Sequence, residues 1–350
     1  MATKLHELKK NPMVLEARGL VSGVKKETFY RSGVSKNGKA WNELNFGLII
    51  APRKTVYFKI NGFEQNDVYY FENVKKGEKG QTVKVPWKNR KNKPGDNYRL
   101  NGIKITVDRD EETNKNVNEV MLDYDAVEYL HANMKDGESL FIRANLTRDS
   151  FTAKDGTHVC YTNFVPMQIS RTDKPIDFDA EDFEEKAVLE ANLLTFEGIE
   201  QEVDEDGKPT GRYLLTTYLF DYNKVETMTY IVKDAKLAKN MKKAMKPGNT
   251  IHAYGKVDII VDTSYVEPED DGWGDPDPKE RLNSRPVTEY VITRCLKDTL
   301  DKDTYEEAKI AAAIKAIKNA KDAENKFVAE SEDSGDDGWG DDSDDEDTPW

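Results

Sequence analysis

MKDGESLFIRANL at residues 134–146 and MKPGNTIHAYGKV at 245–257 follow one plan. Each leaves a helical pattern (124–134 and 235–245), turns at a Gly, and continues as a strand with apolar residues at alternate positions. A second echo lies upstream of each, VLEARGLVSGV at 14–24 and VLEANLLTFEGIEQ at 188–201. Val14 and Val188 are 174 residues apart, but Met134 and Met245 only 111, so the first copy holds 174 − 111 = 63 additional residues. They belong between its third strand and its helix.

The remaining strands fall into place around these anchors. In the first copy they span 13–24, 41–51, 55–63, 138–149 and 157–170, rich in β-branched and aromatic residues and punctuated by Gly, Asn and Pro. In the second they span 188–201, 212–222, 225–234, 249–262 and 288–298. Five strands with a helix between the third and fourth is the order of the OB-fold, a Greek-key β-barrel. Strands alone would also suit a pair of ordinary β-sandwiches; the repeat in register favours the barrel. The expected fold is therefore mainly β, with two OB-fold domains at 1–172 and 183–300. The first carries a basic insert at about 64–123, the second an acidic loop at 263–286. A helix follows over 303–327, opened by a capping box of Thr304 with Glu307, and 328–350 reads as a disordered acidic tail.

Charge is segregated along the chain. The net charge is −14, yet 330–350 alone contains eleven acids and no Lys or Arg, leaving 52 basic against 55 acidic residues elsewhere. The two cysteines, Cys160 and Cys295, lie far apart without neighbours at ligand spacing, which argues for reduced thiols in strands rather than a disulfide or zinc module. The N-terminal MATKLHELKKNP has no apolar core and no long apolar run follows. These features predict a soluble, cytoplasmic protein with no membrane partner.

The insert supplies the candidate chemistry. Residues 74–107 hold ten basic and two acidic residues, with Trp87 and Tyr98 among Lys84, Lys88, Arg90, Lys91, Lys93 and Arg99. Basic side chains track phosphates and flat rings stack on bases, so this mixture suits a nucleic-acid single strand; a basic run alone would be a solvated loop. Strand alternation adds outward residues to it. Val56, Phe58 and Ile60 point inward and leave Tyr57 and Lys59 outside, with Trp41 at the start of the preceding strand. Leu140, Ile142 and Ala144 likewise leave Phe141 and Arg143 outside. In the second copy Tyr218 and Phe220 alternate against Leu219, and Tyr254 and Lys256 against Ala253 and Val257.

Signals for catalysis are poor. The four His residues are scattered, no phosphate-cradling Gly-rich loop is present, and Lys154-Asp155-Gly156 is the chemistry of a hairpin tip. No cofactor, no metal and no enzymatic activity are expected.

A basic, aromatic-faced body followed by an acidic segment that closes on Asp345-Glu346-Asp347-Thr348-Pro349-Trp350 resembles the single-stranded DNA-binding proteins of bacteria and bacteriophages. In the cellular family the tail ends in acids followed by Ile-Pro-Phe; here Thr348 and Trp350 replace Ile and Phe while Pro349 matches. Two barrels in one chain resemble a virus-encoded version and put the usual tetramer in doubt. The resemblance implies a protein that coats and protects single-stranded DNA in replication, recombination and repair. It also implies that Asp345, Glu346, Asp347, Pro349 and Trp350 dock on partner enzymes such as a polymerase, helicase, primase or recombinase, in the host bacterial cytoplasm if phage-encoded. An OB-fold RNA-binding regulator and an acidic nucleic-acid mimic are the alternatives. DDGWGD occurs in the tail at 336–341 and also at 270–275, within a loop of seven acids against Lys279, Arg281 and Arg285, which implies weaker DNA binding by the second barrel.

Overall fold

The computed structural model describes residues 8–75, 77–108, 117–152, 158–221, 224–260 and 286–319. The chain is mainly β. Its strands are, in order, β1 (Met13–Ser22), β2 (Tyr30–Val34), β3 (Ala40–Ala51), β4 (Lys54–Phe63), β5 (Asp67–Glu72), β6 (Thr82–Pro86), β7 (Tyr98–Leu100), β8 (Ile103–Thr106) and β9 (Glu119–Met121). Then come β10 (Ser139–Thr152), β11 (His158–Arg171), β12 (Ala187–Val203), β13 (Pro209–Phe220), β14 (Val225–Val232), β15 (Thr250–Ile260) and β16 (Val287–Cys295). The helices are α1 (Asp123–Asn133), α2 (Ala235–Ala244) and α3 (307–319).

Two five-membered rings of strands emerge from the pairing. In the first, β1 pairs β3, β3 pairs β4, β4 meets β11 in parallel at Phe58 and Phe164, and β11 returns through β10 to β1. The second repeats this with β12, β13, β14, β16 and β15, again with a parallel contact between its third and fifth strands. In each ring a helix stands between the third and fourth strands and buries its apolar side, Ala126, Val127 and Leu130 in α1, Ala238 and Met241 in α2.

The repeat extends to backbone detail. Gly137 and Gly248, 111 residues apart, turn the chain from helix to fourth strand at φ 83° and 82°, a left-handed conformation in which any Cβ would be strained. The register of each fourth strand slips at equivalent places, Arg143/Ala144 and Tyr254/Gly255. Such a bulge increases local twist and helps a short sheet close.

The rings are fused along an antiparallel seam between β1 and β12, running from Met13 opposite Ala191 to Ala17 opposite Ala187. Inward residues Met13, Leu15, Ala17, Leu189 and Ala191 are buried, and one hydrophobic core continues through both rings. Phe58, Phe164, Tyr290 and Tyr230 form a chain of rings through it at centroid spacings of 6.0, 6.4 and 6.5 Å. Outside the core, Lys54 of β4 reaches Glu185 at 2.9 Å and Asp258 at 3.4 Å, and Asp258 also receives Lys233 at 3.2 Å. Ion pairs therefore tie the first ring, the connecting segment and the second ring together.

Three features depart from or add to the sequence reading. The basic insert, left without elements in the sequence reading, is folded: β5, β6 and β7 form a separate three-stranded sheet, and β8 joins β11 in parallel. The hairpin strand β2 was not anticipated. The last helix starts at 307, not 303, because Thr304 donates its backbone N–H to the Asp301 carboxylate, in a bend, while Glu306 accepts the first helical hydrogen bond from Ile310. No helix among the described residues is long and apolar enough to cross a membrane. Cys160 is exposed in β11, and Cys295 is half-buried in β16, its thiol pushed up to about 11 by burial.

Candidate functional site

The outer face of β3 and β4 is open and carries rings. Register places Trp41 opposite Phe63, Glu43 opposite Asn61, Asn45 opposite Lys59 and Gly47 opposite Tyr57. The alternate residues Leu44, Phe46, Val56, Phe58 and Ile60 are buried, so the pleat sends these pairs outward. Tyr57 is 66% and Phe63 58% exposed, an unusual exposure for two large rings on one face of a single strand. Two glycines make room: the Trp41 indole lies against Gly33 of β2, where a Cβ would come within 3.0 Å of it, and a Cβ on Gly47 would meet Ser22 and Thr55 at 2.6 and 2.7 Å.

Charge at the centre of this face is balanced. Lys59 Nζ lies 2.6 Å from Glu43 Oε2. Burial works against ionisation of Glu43, but Lys59, Asn45 and Arg31 outweigh it and hold the carboxyl below the usual range. A hollow of about 280 Å³ opens beside the pair, with Lys26, Asn45, Tyr57, Lys59 and Asn163 in its wall. Flat rings flanking a lysine whose counter-ion is a displaceable carboxylate can stack bases and accept a phosphate.

The insert stands at one end of this face. The backbone N–H of Trp87 donates to Asn66 O at 3.0 Å, three residues beyond Phe63. Its lysines vary in freedom: Lys88 and Arg99 are exposed, Lys84 pairs with Asp67 at 2.9 Å, Lys91 approaches Asp125 at 3.9 Å, and Lys93 donates to Asp96 O. Tyr98 is half-buried, with its hydroxyl 3.5 Å from Gln81. Trp87 and Arg90 are engaged inward. The guanidinium sits 4.4 Å over the indole, the indole edge meets Tyr124 of α1, and Arg90 Nε and Nη2 fork onto Asp125 at 3.0 and 2.8 Å.

The other residues singled out in the sequence lie elsewhere. Phe141 and Arg143 face outward on β10 beside the seam, where Lys186 stands 5.8 Å from the Phe141 ring and Glu16 3.7 Å from Arg143. The seam aligns Arg143, Glu16, Val188 and Lys256 in one row across both rings. Lys256 reaches Asp258 at 3.7 Å, and the Tyr254 ring meets His252 edge-on. Tyr218 is packed under other elements. It contacts Phe196 and Phe220 in a second core cluster with Leu8, Tyr305 and Ile310, and its neighbour Phe220 is buried rather than outward. The acidic tip, Asp345, Glu346, Asp347, Pro349 and Trp350, and both DDGWGD copies lie outside the described residues.

Sequence reasoning missed Phe63 and Arg31. Phe63 continues the Tyr57, Lys59, Asn61 alternation and was accessible from it. Arg31 lies on β2, opposite Glu43, and had no comparable signal.

The YorF family model matches residues 59–334. The chain belongs to the YorF family. No curated protein matches it. Among solved structures it is similar to the single-stranded DNA-binding protein from Thermus aquaticus. A deletion mutant of that protein is 11% identical with a TM-score of 0.37 over 82% of this chain and 94% of that one. The wild type is 10% identical with a TM-score of 0.37 over 85% and 96%.

Proposed function

We propose that this protein binds single-stranded DNA with little sequence preference, along the outer face of β3 and β4. The observation that carries the proposal is the row of rings, exposed Tyr57 and Phe63 with half-buried Trp41, on the face that bears Lys59, on the second and third strands of a closed five-stranded ring. In an OB-fold those two strands form the oligonucleotide platform, and we read both rings as OB-folds. Stacking on aromatic rings tolerates any base, which suits a coating role.

The two rings divide the work. On the corresponding face of the second ring, Arg212 and Lys233 are both paired with Glu289, at 2.6 and 3.2 Å, Thr216 faces Thr229, and Tyr218 lies beneath α3. Among the described residues, that face offers no exposed ring of the kind the first presents. In the full reading the protein protects single strands during phage DNA replication, recombination and repair. It does so without catalysis, and it recruits partner enzymes through the acidic segment that ends in Pro349-Trp350.

Competition among labelled single-stranded DNA, single-stranded RNA and duplex DNA at two salt concentrations tests the proposal. The single strand of DNA should win, and its affinity should fall steeply with salt. Preference for duplex, or for RNA, would refute it.

A further inference from the structure

Arg90 belongs to the most basic stretch of the chain, yet its side chain faces away from solvent. Its side chain is only 20% exposed, forks onto Asp125 (13% exposed) and holds the guanidinium 4.4 Å over the Trp87 ring. Its backbone carbonyl accepts a 2.6 Å hydrogen bond from Tyr70 of β5, so the same residue grips the small sheet. On the other side of the fork, α1 is locked to the first ring: Asn42 Nδ2 donates to Tyr124 O at 3.0 Å, and the Tyr124 backbone fits over Gly62, where a Cβ would come within 2.4 Å of it. A continuous path of close contacts thus runs from the ring through Tyr124 and Asp125 to Arg90 and the insert.

We infer that Arg90 and Asp125 are positioning residues that dock the insert sheet as a rigid arm, setting Lys88, Lys91 and Lys93 in line with the Trp41–Phe63 end of the binding face. The inference rests on the proposed single-strand binding. A fork of two parallel charge-assisted hydrogen bonds, backed by an indole, fixes orientation in a way a lysine cannot. DNA leaving the rings at Phe63 then meets ordered cations instead of a swinging loop, and less conformational entropy is lost on binding.

Asp125→Asn separates the two possible roles of Arg90 by sign. If Arg90 were a phosphate ligand, removing the competing carboxylate would tighten binding. The positioning role predicts the reverse. With oligothymidylates of about 6 nucleotides, within reach of one OB face, and about 30 nucleotides, Asp125→Asn should leave the short-strand affinity unchanged and weaken the long. The salt slope for the long strand should become shallower by about 2, the share of three lysines at about 0.7 each. Arg90→Gln should match it, and the double variant should be no worse than either single one, because both remove the same contact. Trypsin should cut after Lys88 and Lys91 faster in both variants, with no DNA present.

Should Arg90→Gln fail to fold, Arg90→Lys decides: it keeps the charge but not the fork, and should still behave as Asp125→Asn does. Tighter long-strand binding by Asp125→Asn, wild-type binding by Arg90→Lys, or additive losses in the double variant would overturn the inference. Failure of the wild-type protein to bind either strand would instead remove the single-strand reading itself, and this inference with it.

Discussion

Leu15 of β1 lies directly opposite Leu189 of β12, and the two are each other's counterparts in the 174-residue repeat. Equivalent residues meet across the seam as they would across the twofold axis of a homodimer, so the chain is built like an isologous pair joined by its own backbone. Both leucines are fully buried. Leu15→Ala and Leu189→Ala should each cost about 2–5 kcal/mol of stability. Because one core runs through both rings, denaturant should unfold them in a single transition, followed by tryptophan fluorescence and circular dichroism together. Two separated transitions would mean that the seam is only a contact between independent units.

Acid should loosen the ionic tie between the rings before it touches the seam. Burial opposes ionisation of Asp258, but Lys233, Lys256 and Lys54 outweigh it and hold its carboxyl below the usual range. A carboxyl depressed in the folded state stabilises above its unfolded pKa, near 4, and loses that contribution as pH falls through the folded value. Asp258→Asn should therefore be less stable than wild type at neutral pH, with the gap closing below about pH 4. A gap that persists unchanged into strong acid would show that the Asp258 charge contributes nothing.

Much of this organisation was legible because it depends on local periodicity. Alternation in Val56–Phe58–Ile60 and Leu140–Ile142–Ala144 located the strands and their inward faces, and the Gly137/Gly248 match located the turns. The seam was not legible, since Val14–Ala17 and Val188–Ala191 look like any half-buried strands and nothing local specifies that they pair. The insert was read as a basic run because its strands are short and its lysines interrupt the apolar positions. For Arg90 and Tyr218, composition suggested contact with a ligand, whereas long-range partners, Asp125 in one case and the Leu8–Tyr305–Ile310 cluster in the other, decide where each side chain goes.

Releasing Lys59 should strengthen binding. Glu43 holds it at 2.6 Å, so an incoming phosphate must displace a carboxylate. Glu43→Gln removes that competitor and should raise affinity for single-stranded DNA, most clearly at low salt, where exposed charges are screened least. Fluorescence titration at two ionic strengths checks this. Unchanged affinity would place the phosphate path away from Lys59.

Tyr218 should matter for stability and not for DNA. It is held among Phe196, Phe220 and the α3 cluster, and burial, with Glu197 and Glu307, raises its hydroxyl above the usual tyrosine range. Tyr218→Ala should lower the melting temperature while leaving oligonucleotide affinity within twofold of wild type. A selective loss of affinity with normal melting would reopen the second ring as a binding surface.

The central claim concerns which surface meets the strand, and photo-crosslinking of an iodouridine-substituted single strand to the intact protein tests it most directly. Iodouridine couples efficiently to aromatic rings on which it stacks, and peptide mass spectrometry then identifies the residue. The account predicts crosslinks at Tyr57 and Phe63, with Trp41 next. Crosslinks concentrated at Tyr254 or Phe141, with Tyr57 and Phe63 unmodified, would contradict it and place the binding surface on the seam.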